Sequence, residues 1–99
     1  MTPKEQLIAA RALIDDPSNW CQHTMRRGNR TCALAALSDT IGVSARDNWS
    51  QLLESPAYIT LTHAMSNGRD GVGWISYFND THTHAEVLSA FDAAIAACE

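Results

Sequence analysis

The chain predicts a mainly α-helical fold, an irregular bundle of four to five helices in one domain spanning residues 1–99, with a small α+β arrangement as the alternative. Three observations carry this. Apolar residues recur at i, i+3, i+4 and i+7 in several segments, two of those segments open with a Thr-x-x-Glu capping box, and no pair of alternating strand-like runs is evident. The composition allows a core: 45% of the 99 residues are hydrophobic and 18% charged, with seven Lys+Arg against eleven Asp+Glu for a net charge of −4.

The first helix is expected from about Pro3 to Ile14. Thr2 caps it, Pro3 suits its first turn, Glu5 completes the capping box, and Leu7, Ala10, Leu13 and Ile14 form the apolar stripe before Asp15-Asp16-Pro17 stops it. Ser18 to Arg30 lacks a period and reads as an ordered loop rich in functional side chains. Thr31 is the expected cap of a second helix, Cys32 to about Ile41, ended by a left-handed Gly42; Leu34, Leu37 and Ile41 share one face, with Cys32, Ala36 and Asp39 on the other. Ser44-Ala45-Arg46-Asp47 opens a third helix through Trp49, Leu52 and Leu53, limited by Pro56 to about Glu54. Ala57 to Met65 fits helix or strand, and the Ser55-Pro56 start favours helix.

Asn67 to Gly73 holds three of the five glycines and predicts turns, with Arg69 and Asp70 as ordinary loop charges. Trp74 to Phe78 reads as one helical turn or an isolated strand. Asn79-Asp80 is expected to form a structural turn, Asp80 accepting backbone N–H bonds or pairing with a neighbouring arginine. The last helix starts at Thr83 with the box partner Glu86 and carries Val87, Leu88, Phe91, Ile95 and Cys98 toward the core.

Several function classes drop out. The longest apolar run, Ala93 to Cys98, falls far short of the roughly 20 residues that span a bilayer. The start of the chain shows no secretory pattern, and three unpaired cysteines fit a reduced, cytoplasmic protein. The acidic balance argues against extended nucleic-acid binding. No Ser-His-Asp order, His-Glu-x-x-His or dinucleotide fingerprint is present, so no cofactor is expected and the reading leans away from an enzyme.

Arg26, Arg27 and Arg30 crowd together just before a predicted helix start, whose exposed amides favour an anion. With Trp20, His23, Cys32, Asp80 and His84 they make the candidate ligand-binding set, for a protein partner or a small anionic ligand. The rival reading is a small Cys/His enzyme or metal protein, in which Cys32 becomes a thiolate near the arginines and His23, His82 or His84 serves as base. Cys21, His23, His82 and His84 are also ligand types that zinc accepts, at spacings that do not match known zinc motifs. Trp49, Trp74 and Tyr77 exceed what so small a core must hold, which would fit a homo-oligomer interface.

The run Phe78-Asn79-Asp80-Thr81-His82-Thr83-His84-Ala85-Glu86-Val87-Leu88, continuing through Phe91-Asp92-Ala93-Ala94-Ile95, resembles the C-terminal signature of a family of small bacterial and bacteriophage proteins of unknown function. Cys32-Ala33-Leu34-Ala35-Ala36-Leu37 is similar to that family's Cys-Ala-x-x-Ala-Leu element. The resemblance implies membership and brings no activity, cofactor or partner.

Overall fold

A computed structural model describes residues 1–69 and 71–98. Among them, six α-helices and one two-stranded hairpin form the fold: α1 Pro3–Leu13, β1 Arg26–Arg27, β2 Arg30–Thr31, α2 Ala33–Ile41, α3 Trp49–Leu53, α4 Pro56–Ser66, α5 Trp74–Thr81 and α6 His84–Ala97. A single 3-10 turn, Pro17–Asn19, follows α1. The fold is mainly α, as the apolar spacing requires.

The two capping boxes form as expected. Thr2 Oγ1 accepts from Glu5 N while Glu5 Oε1 accepts from Thr2 N, and Thr83 and Glu86 repeat the exchange at the start of α6. Both glutamates are held below their ordinary value of 4.5, chiefly by the backbone N–H of the capping threonine.

The second helix differs from the expected one-faced helix. Ala33, Leu34, Ala35, Ala36, Leu37 and Ser38 are all buried, because α2 lies inside the bundle against α1 and α5. Four of these six are Ala or Ser, small enough for neighbouring chain to pack closely, so periodicity gave no warning that the whole run is buried. The core it joins is completed by Leu7, Ile14, Leu52, Leu61, Ile75, Val87 and Phe91, each essentially without solvent exposure. Arg11 ties the last turn of α1 to α6, its Nε 2.7 Å from Asp92.

The cap of α2 is Cys32, not Thr31; its Sγ accepts from Ala35 N at 3.4 Å. Thr31 is committed to the hairpin instead, paired with Arg26 and bridged to Trp20 one residue ahead of the cap. Gly42 ends α2 in the left-handed conformation at φ 83°, as expected. The third helix starts later than predicted: Ser44 Oγ accepts from Arg46 N and Asp47 N, closing a turn that delays helix until Trp49.

Residues 57–65 are helical within α4, with Pro56 in its first turn and a left-handed Asn67 at its end. The turn expected at Asn79-Asp80 does not occur. Helix α5 continues through both residues, and the chain turns instead at the extended His82. Cys98, expected in the core stripe of α6, caps that helix half-buried. Asp70 of the expected turn-rich loop lies outside the described residues. No helix among the described residues is long and apolar enough to cross a membrane.

Because Glu5 and Glu86 have lowered folded values, their contribution to stability is present at neutral pH and is lost as pH falls through those values. Glutamine keeps the box geometry but cannot titrate. The double variant Glu5→Gln/Glu86→Gln is therefore expected to show a shallower loss of Tm between roughly pH 5 and pH 3 than the parent, measured by circular dichroism.

Candidate functional site

Two of the expected site residues, Trp20 and Asp80, meet at a side chain absent from the candidate set. Asn79 sits on α5 one turn after Ile75 and, like it, faces the core, with no solvent exposure. Its Oδ1 accepts from Trp20 Nε1 at 2.7 Å and from Ala33 N at 3.0 Å. Its Nδ2 donates to the Cys21 carbonyl at 3.0 Å and to Asp80 Oδ1 at 3.1 Å. All four hydrogen-bonding positions of the amide are used, which fixes its orientation.

The geometry has a local logic. Trp20 and Thr31 form a parallel bridge, and Cys21 N donates to Thr31 O at 3.2 Å. One step further, the ladder would need Ala33 N to reach Cys21 O. The Asn79 amide stands between those two groups and satisfies both. The two blocks that carry the family resemblance, around Cys32 and around Asn79, thus meet physically.

Neighbouring groups hold the rest of the 20–25 segment. Gln22 Nε2 donates to the carbonyls of Asn79 and His82 at 3.1 and 2.9 Å, covering the end of α5. His23 N donates to Asp80 Oδ1 at 2.8 Å, and His23 takes a left-handed backbone at φ 67°. Asp80 therefore serves the 20–25 segment through its backbone rather than through an ion pair with Arg26, Arg27 or Arg30. The Trp20 ring lies 5.3 Å from the His84 ring, whose Nε2 is 2.6 Å from the Ile14 carbonyl at the end of α1.

His23, Cys32 and Asp80 line one cavity of about 200 Å³, together with Thr24, Met25 and Ser76. The thiol there is not primed for attack. Cys32 is 4% exposed, and burial pushes its pKa above the ordinary 9.0, with the Cys21 and Asp80 charges adding to the rise and the N–H groups of Ala35 and Leu34 opposing it. Burial also raises Cys21, against the pull of Arg27 and Arg30. The expected thiolate stabilisation by the helix start is thus outweighed by desolvation.

The arginine cluster divides into two parts. Arg26 forms a two-pronged ion pair with Asp39 on α2. Arg27 and Arg30 are exposed and face each other across the hairpin, with Gly28 at φ 62° opening its two-residue loop. Neither makes an ion pair among the described residues. The helix start behind them is closed: Ala33 N is taken by Asn79 and Ala35 N by Cys32, so the anion site expected there is not open.

The histidines proposed as zinc ligands or bases point to separate partners. His82 stacks on Phe78 at 3.6 Å with Nδ1 3.0 Å from the Phe78 carbonyl, and His84 reaches Ile14. Among the described residues no three His, Cys, Asp or Glu side chains converge as a metal site would require. Of the aromatics, Trp49 packs edge-on against Tyr58, and Trp74 is stacked under Arg69. Tyr77 alone of the three stays largely exposed, at 60%.

Sequence reasoning missed Asn79 and Gln22. The signal for Asn79 was its i+4 relation to Ile75, legible only if α5 is allowed to run past Phe78; nothing marks Gln22.

Asn79→Ala would strand two buried donors and one acceptor. It is expected to cost about 2–4 kcal/mol in urea denaturation, with Asn79→Asp no better, since a carboxylate cannot donate to Cys21 O and repels Asp80. Iodoacetamide at neutral pH is expected to label Cys98 first, and Cys21 and Cys32 only once the chain is unfolded, read by peptide mass; rapid labelling of folded Cys32 would restore the thiolate reading.

No curated protein and no solved structure matches the chain. A family model does match, from residue 1 to residue 97, a span that contains every helix, the hairpin and the whole Asn79 network; the chain belongs to the family of unknown function DUF6197.

Proposed function

We propose that the chain is a non-enzymatic binding module of bacterial or phage origin, acting in the cytoplasm, whose Arg27/Arg30 hairpin tip takes an acidic group of a protein partner. The supporting observation is the cross-strand pair itself. Like charges directly opposite each other destabilise a ladder, and here two exposed arginines are paired across it with no ion pair among the described residues. Two such forks at ladder spacing suit carboxylates, which arginine binds through paired hydrogen bonds.

Rigidity supports the same reading. Arg26 is held by Asp39 and the hairpin's base by Trp20 and Asn79, so the tip is presented at little cost in lost freedom. His23, Cys32, Asp80, Trp20 and His84 then act as the mount of the tip. The closed helix start weighs against a free phosphate as the ligand, and the buried neutral thiol against the Cys/His enzyme.

The test is titration with fluorescein-labelled poly-glutamate at low and moderate salt. Arg27→Glu/Arg30→Glu is expected to weaken binding on the order of tenfold or more while leaving Tm unchanged, and inorganic phosphate should compete poorly. Affinity unchanged in the double variant would overturn the assignment.

A further inference from the structure

Beside the hairpin lies a groove of about 570 Å³, formed where β1 passes the C-terminal end of α2 and the segment that follows it. Met25, Val43 and Ala45 supply apolar surface, Met25 being 36% exposed, while the Arg26–Asp39 pair and Arg46 stand at its edges. Arg46 makes no ion pair among the described residues.

Charge decides which occupant fits. The chain carries −4 overall, yet Arg26, Arg27, Arg30 and Arg46, four of its seven basic residues, belong to the hairpin and this groove. Only Asp39 and Asp47 answer them in the same segments, and Asp39 is already committed to Arg26. The surface is thus locally positive on an acidic protein, with an apolar floor beside the free charges. A second copy of the chain docked by two-fold symmetry would set this basic face against itself and bring like charges together.

We propose that the groove takes an extended acidic peptide segment of a partner protein, seating one apolar side chain against Met25, Val43 and Ala45 while a flanking carboxylate reaches Arg46 and acidic residues farther along the segment, outside the groove, meet Arg27 and Arg30 at the hairpin tip. This rests on the arginine reading above and adds the class of partner: an acidic linear segment with an apolar anchor. Arg26 stays bonded to Asp39 and forms a fixed wall.

The experiment compares three labelled decapeptides by fluorescence anisotropy: all-glutamate, the same with two central leucines, and a lysine–leucine analogue. The leucine-containing acidic peptide is expected to bind at least tenfold more tightly than all-glutamate. Met25→Ala, a change at an exposed side chain, should erase that advantage while leaving all-glutamate binding as it was, and Arg46→Glu should weaken both acidic peptides. Equal affinity of the two acidic peptides, both lost in Arg27→Glu/Arg30→Glu, would overturn the groove and leave the arginine tip standing. Loss of neither in that double variant would overturn the arginine tip as well. Tighter binding of the lysine–leucine analogue, or a concentration-dependent dimer that Met25→Ala returns to monomer, would also overturn it.

Discussion

One buried amide sets the terms for the rest of the molecule. Asn79 is inserted where the Trp20–Thr31 pairing would have continued, spacing the 20–25 segment from the start of α2 by the width of one amide group. Its donors and acceptors are all matched, which is the condition under which a polar side chain belongs in an apolar core. Every other local choice follows from that spacing: Cys32 becomes the cap, Thr31 joins the hairpin, and Asp80 turns toward the His23 amide.

The same arrangement sorts the chemistry-bearing groups into held and free. Cys32, Asp80, Trp20 and His84 spend their polar atoms or ring faces on the fold, and Cys32 is further silenced by burial. Arg26 is spent on Asp39. Of the arginines in the hairpin and the segment after α2, Arg27, Arg30 and Arg46 make no ion pair among the described residues, so the cluster is looser than the sequence implied. A dense run of reactive residue types was largely the apparatus for fixing a loop that has no helix of its own.

Much of the bundle was legible because its signals are local. Thr2-Glu5 and Thr83-Glu86 sit within one turn, Gly42 and Pro56 act on their own backbone, and α1, α4 and α6 follow from them. What stayed hidden depends on partners distant in sequence. Asn79 bonds across 46 to 59 residues, and a polar residue with no visible partner reads as a turn. The centrality of α2 was hidden by alanine, which suits core and surface alike. The hairpin was missed because its strands are two residues long, and Gly28-Asn29 is flanked by charges rather than by alternating apolar residues. The candidate set of Trp20, His23, Cys32, Asp80 and His84 did gather in space, though as supports of the loop.

The long reach of Asn79 also bears on how the chain comes to order. Helices α1 and α6 can begin from their own capping boxes, but the side-chain anchors of the 20–25 segment await α5, which carries Asn79 and Asp80. Three of the four Asn79 bonds close a separation of 46 to 59 residues, which costs chain entropy before any of the three is gained. The anchors of the segment at Trp20, Gln22 and His23 are thus shared with α5, so the base of the arginine hairpin is tied to the bundle although its tip stands in solvent.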